Sequence, residues 1–276
     1  MSEPDLGAEA VRRGGEGFAD AVTVSFADPE RGWYGMARLG VTAEHSSALA
    51  VLFRGRDVAG ALAQGELAEG EGPLAMAVEV PFERWTVRWD GADTGFDLTL
   101  DAACAPAERT VGMDGYEQLV RVTGTVRAGG EETPIVGSGQ RGHAWGVVDW
   151  SDLTLVRGVS AWLGDGGILL ESARPRKAAG HDAEDVWATL VQEGEPIPIA
   201  DPRLSTTYDG DGHQRRAGLE LWVTDDEDHP LRAAGSAICG SSLDLGALTM
   251  DLAFFRWSAE GVQGVGRYDV IRKRAE

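Results

Sequence analysis

Apolar and polar positions alternate with a period near two along most of the chain, as half-buried β-strands require. The segment Phe82-Glu83-Arg84-Trp85-Thr86-Val87-Arg88-Trp89 is the clearest case, with large apolar side chains and charges falling roughly on opposite faces. Similar runs at 33–39, 48–53, 96–101 and 116–127 predict further strands in the first half. In the second half they recur at 153–159, 167–172, 186–192, 219–224, 231–238, 248–255 and 262–271. Ala128-Gly129-Gly130, Asp165-Gly166-Gly167 and Asp209-Gly210-Asp211-Gly212 fall between runs and read as turns. Gly124 interrupts a long β-branched run and suggests a bend or bulge. Helix is expected only in short pieces, at 58–68 and near 182–186. About fourteen strands are too many for one small barrel and suit two of six to eight strands each. The expectation is therefore an all-β protein of two tandem antiparallel β-barrels with little helix. The Gly-rich stretch 137–142 marks the seam, giving domains 1–139 and 140–276, with 1–20 as a flexible arm.

Composition narrows the function classes. The 276 residues carry 45 acidic against 25 basic side chains, a formal net charge of −20. Nucleic acid is thereby disfavoured as a partner, because phosphate contacts need clustered Lys and Arg. An anionic membrane surface is disfavoured for the same reason. No apolar run approaches the ~20 residues that span a bilayer, and the first 17 residues are acidic and lack an apolar signal region. A cytoplasmic location is expected. The two cysteines, Cys104 and Cys239, have no metal-type spacing and read as buried thiols.

The one distinctive motif is Gly139-Gln140-Arg141-Gly142-His143-Ala144-Trp145-Gly146-Val147-Val148-Asp149-Trp150. On an extended segment Arg141, His143 and Trp145 point to one face, and Asp149 joins them if the extension continues past Gly146. A histidine beside an indole, with a carboxylate in reach, can move a proton next to a π surface. That chemistry suits protonation of an alkene. The alternative is packing: two tryptophans filling a junction between sheets, with Arg141 and Asp149 as an ion pair.

The motif resembles the signature of actinobacterial proteins in the carotenoid 1,2-hydratase (hydroxyneurosporene synthase) superfamily, which also includes lipocalin-like pericyclases. Gly32-Trp33-Tyr34-Gly35 is similar to an early Trp-bearing strand of that family, and Gly264-Val265-Gly266-Arg267-Tyr268 to its terminal strand. The resemblance implies two lipocalin-like β-barrels in tandem and a cofactor-independent enzyme acting on a hydrophobic terpenoid or polyketide-like molecule. It implies His143 and Asp149 as catalytic groups, with Arg141, Trp145, Trp150, Glu171 and Trp33 contacting the substrate. Two departures stand out. The family places Asp immediately before the histidine, where this chain has Gly142, and its later Arg is replaced by Val147 or Val148. Glu171 is the acid offered at the distance of the hydratases' downstream Tyr and Asp.

Other constellations carry less. His45, His181, His213 and His229 show no zinc-type spacing, and no metal or cofactor is expected. Asp209–His213 lacks the full twelve-residue Ca²⁺ pattern and reads as a turn, and Asp225-Asp226-Glu227-Asp228 as a solvated hairpin tip. Three functions remain open. The chain is a hydratase, isomerase or cyclase; a non-catalytic carrier of a hydrophobic metabolite; or an interaction protein with a closed interior.

Overall fold

The computed structural model describes residues 9–67, 72–178, 183–224 and 229–274. His181, Asp182 and the expected hairpin tip at 225–228 lie outside them. The described chain forms nineteen strands in two compact units. One takes the described residues up to Glu108 with Met113–Val148; the other takes Arg109–Gly112 and the chain from Asp149 onward.

The first sheet contains β1 (Phe18–Asp28), β2 (Trp33–Thr42), β3 (Ser46–Arg54), β4 (Asp57–Leu67), β5 (Leu74–Val80), β6 (Arg84–Asp90), β7 (Thr94–Ala102), β8 (Ala107–Arg109), β9 (Asp114–Ala128) and β10 (Glu131–Val147). They pair antiparallel in the order β4-β3-β2-β1-β10-β9-β7-β6-β5, with β8 on β9. The second unit contains β11 (Leu153–Leu163), β12 (Gly166–Pro175), β13 (Asp185–Gln192), β14 (Glu195–Pro198), β15 (Asp201–Tyr208), β16 (Gln214–Trp222), β17 (Leu231–Asp244), β18 (Leu248–Ala259) and β19 (Val262–Lys273). Its order, β14-β13-β12-β11-β19-β18-β17-β16-β15, repeats the first. The all-β, two-sheet expectation holds. Each sheet is curled but open: among the described residues no ladder joins β4 to β5 or β14 to β15.

Several expectations need correction. The helix expected at 58–68 is absent over its described part, 58–67, because β4 pairs with β3 from Arg54↔Asp57 to Ser46↔Leu67. Its Ala- and Leu-rich sequence favours helix intrinsically, but the edge of a preformed sheet outweighs propensity. Residues 185–186 likewise open β13. Over its described residues the expected arm is held in place: Glu9 and Arg12 pack against the sheet, and Phe18–Asp28 is the strand on which β2 and β10 both pair. The glycine-rich seam is also displaced: β10 runs unbroken through 139/140, and the units divide after Val148. Gly124 makes no bulge, since both ladders of β9 keep register through it. A Cβ there would come 2.1 Å from the carbonyl oxygen of Asp97, so glycine is required for close approach.

Alternation sorts the side chains as the period-two pattern demands. On the concave face of the first sheet, Phe26, Trp89 and Phe96 pack edge to face, with centroids 5.4 and 5.5 Å apart, above Leu98, Val126 and Ile135. In the second unit Phe255, Trp257 and Tyr268 form the equivalent centre. Replacing a fully buried tryptophan such as Trp257 by Ala costs about 3–5 kcal/mol. These aromatic centres anchor each sheet.

Cys104 and Cys239 are buried, and no disulfide joins them. Burial pushes the Cys239 thiol up to about 12, partly opposed by the backbone N–H of Phe254. Neither thiol is therefore expected to react with iodoacetamide near pH 8 in the native protein, since the thiolate is the nucleophile. Mass spectrometry should find two adducts after denaturation and none before it.

Candidate functional site

In the first sheet one end of the concave face is solidly packed and the other is not. A cavity of ≈ 210 Å³ opens there, with walls from Val22, Val24, Leu39, Leu74, Met76 and Trp85. An apolar cavity of about 150 Å³ is enough for one aromatic ring. Among the described residues its charged groups are Glu9, Asp20 and Arg141.

Strand register brings these groups together. Arg141 and His143 face inward from β10, where Arg141 pairs across from Val24, His143 from Val22 and Trp145 from Asp20. From β9, Tyr116 stands opposite His143. The expected shared face of Arg141, His143 and Trp145 is thus observed. The rings of His143 and Trp145 meet at 5.1 Å and those of Tyr116 and His143 at 5.9 Å.

The carboxylates are not the expected ones. His143 Nε2 lies 3.1 and 3.0 Å from the two carboxylate oxygens of Asp20. Asp20 also accepts the backbone N–H of Arg12 at 2.9 Å. With Nε2–H donating to Asp20, Nδ1 is the bare acceptor, and it is buried with no hydrogen-bond partner. His143 is fully buried and stands behind Asp20, which lines the cavity.

Arg141 pairs with Glu9 and donates to the Tyr116 hydroxyl at 2.7 Å. Its guanidinium lies 4.4 Å above the Trp85 ring. Burial pushes the Tyr116 hydroxyl well above its ordinary value, so it stays protonated. Arg12 from the same N-terminal segment stacks 3.5 Å over Trp145. Residues 9–12 therefore strap one side of the cavity.

Asp149 does not serve His143. It is exposed in the turn after β10, where it accepts the backbone N–H of Ser151 at 2.8 Å and its hydroxyl at 2.6 Å. Those bonds hold its carboxyl below the usual range. It makes no pair with Arg141, whose partner is Glu9. Trp150 is half-buried in the same turn. Glu171 belongs to the second unit, where it pairs with Arg109. Trp33 is core at the start of β2, with the Arg54 guanidinium 5.4 Å above its ring. None of these four lines the cavity. Sequence reasoning missed Glu9, Asp20, Trp85 and Tyr116 as site residues. One signal was available: Asp20 is a lone charge at an inward position among Phe18, Val22, Val24 and Phe26.

Gly142 has a structural counterpart. A Cβ there would lie 2.4–2.6 Å from the carboxylate of Glu117, opposite it on β9, and Gln140 donates to that same carboxylate. A neighbouring strand thus fills the space of the missing side chain with an acid. Gly142→Asp would set two carboxylates against each other and displace the Gln140 bond, costing about 1–3 kcal/mol. Thermal unfolding should show most of that loss restored in Gly142→Asp/Glu117→Ser.

The second unit carries a buried polar cluster. Arg157 pairs with Glu184 and donates to Ser172 and Thr206 at 3.0 and 3.2 Å. Asp209, Asp211 and His213 bring donor atoms within 4.8 Å of one another. All three are exposed, and Asp209 already accepts the backbone N–H groups of Asp211 and His213. This is the expected turn, between β15 and β16. Among the described residues no helix is long and apolar enough to cross a membrane.

Fold and site together define a tandem lipocalin-like β protein with a small apolar cavity in its first sheet. The chain belongs to the family described as "Domain of unknown function (DUF7064)", whose model matches residues 7–274. No curated protein matches it. Among solved structures it is similar to a candidate AttH from Nitrosomonas europaea, with TM-score 0.72 and 11% identity over 98% of this chain and 96% of that one. It is also similar to CghA bound to Sch210972, with TM-score 0.69 and 12% identity over 94% and 89%. Kievitone hydratase from Nectria haematococca gives TM-score 0.69 and 11% identity over 99% and 96%. At these identities the likeness establishes the fold, the one that the resemblance of the central motif implied.

Proposed function

We propose that the protein is an enzyme acting on an apolar small molecule of the terpenoid or polyketide kind, by hydration, isomerisation or cyclisation. The observation that carries this reading is Asp20, which faces the cavity on one side and His143 on the other. The Asp20–His143 pair, holding one proton taken from solvent, can give that proton to a ligand carbon and recover one from the attacking water or from a second carbon of the ligand. Asp20 is the group that touches the ligand; His143 is the positioning residue that orients it and shares the proton. Trp85 supplies a π surface beside developing positive charge. The apolar walls exclude water, which strengthens these interactions. The reading needs no cofactor. The kievitone hydratase comparison supports it at the level of a fold on which a hydratase is built.

The test begins with native mass spectrometry of the protein from its own cells, to identify an apolar molecule that copurifies. Incubating that molecule and its unsaturated relatives in deuterium oxide should place deuterium on carbon with the wild type and not with Asp20→Asn. Binding without deuterium exchange, and without any change in the ligand, would contradict the enzymatic reading.

A further inference from the structure

Three donors converge on the carboxylate of Glu9. They are the Arg141 guanidinium, the Trp85 indole N–H at 3.3 and 3.4 Å from the two oxygens, and the Phe82 backbone N–H at 3.1 Å. Arg141 and Trp85 are each 2% exposed. The donors sit on or next to strands β6 and β10, whereas the acceptor comes from outside the sheet, on the segment before β1. A planar cation with a convergent indole N–H and backbone N–H is a carboxylate site. Glu9 and Arg141 both line the cavity, so a molecule inside it reaches the same donors.

We propose that the cavity takes an apolar carboxylic acid, whose carboxylate replaces that of Glu9 on Arg141, Trp85 and Phe82. The proposal rests on the reading of the cavity as a ligand site. Glu9 is then a built-in competitor. As one anion leaves another enters, and Arg141 is never left buried without a counter-charge, the costly state for such a group. The strap need not detach as a whole, because Arg12 holds its other end on Trp145 and Asp20. Arg141 and the cross-strand partner of Asp20, Trp145, are four residues apart on β10, roughly 13 Å along the strand. An acid anchored at Arg141 therefore lays its apolar tail toward Asp20, whose own charge repels a reversed orientation.

Calorimetric titration with octanoate, octanol and octylamine tests this on the wild type, Glu9→Ala and Glu9→Gln. Glu9→Ala should bind octanoate about tenfold or more tightly than the wild type, with octanol little changed and octylamine gaining nothing. Glu9→Gln keeps the shape but not the charge, should give an intermediate gain, and serves if Glu9→Ala folds poorly. Octanol binding with no gain for octanoate in either variant would overturn the proposal while leaving the cavity reading intact. An equal gain for octylamine would also overturn it, since it would reflect only a loosened strap. If none of the three probes binds any form, the cavity reading falls and the proposal with it.

Discussion

Asp20→Asn is expected to remove turnover by about 10²–10⁴-fold, the usual worth of a general acid or base, while leaving the fold intact. Asparagine keeps an acceptor for His143 Nε2–H and for the backbone N–H of Arg12, the two groups that Asp20 now satisfies. It cannot carry the proton. Asp20→Ala differs, because it orphans both donors and should cost stability as well, about 1–3 kcal/mol for each group left buried and unpaired. His143→Gln should fall between them, weakening turnover by removing the partner that shares the proton. Rates on the copurified molecule, read beside melting temperatures of the same three variants, separate chemistry from folding.

The second large effect concerns the Glu9–Arg141 pair and is asymmetric. Both side chains are 3% exposed, so removing one partner leaves the other charge buried. Arg141 sits in the middle of β10 and cannot leave, so Glu9→Ala should destabilise by about 3 kcal/mol or more. Glu9 lies on a strap outside the sheet and can swing into water, so Arg141→Leu should cost less. The double variant Glu9→Ala/Arg141→Leu should recover most of the loss of Glu9→Ala, because no isolated charge remains. Chemical denaturation of the four forms gives the cycle directly. Equal costs for the two single variants would show that the strap is as fixed as the strand.

Much of the fold was legible because both sheets are built from long ladders whose inward faces are apolar and whose turns carry glycine. The runs around Trp85 and Trp257 announce themselves by alternation alone. The failures have particular causes. Strand β1 begins with Phe18-Ala19-Asp20-Ala21 behind Gly14-Gly15-Glu16-Gly17, a stretch too small and polar to read as a strand without its partners. Strand β4 spaces Ala59, Leu62, Ala63 and Leu67 as a helix would, and only its pairing with β3 decides otherwise. The site divides in the same way. The motif placed Arg141, His143 and Trp145 on one inward face, which period-two geometry alone could say. Their acids come from 123 and 132 positions earlier in the chain, a separation that no local spacing reveals. The nearer acid, Asp149, was the only one a short motif could offer, and its turn uses it for Ser151.

The central claim is that the concave face of the first sheet holds an apolar ligand beside Asp20. A crystal soaked in iodobenzene tests it most directly, because the iodine marks its own position by anomalous scattering. The account predicts a peak between Val24, Met76 and Trp85, within the ≈ 210 Å³ cavity. That space closed by side chains, with iodine bound only elsewhere, would contradict it.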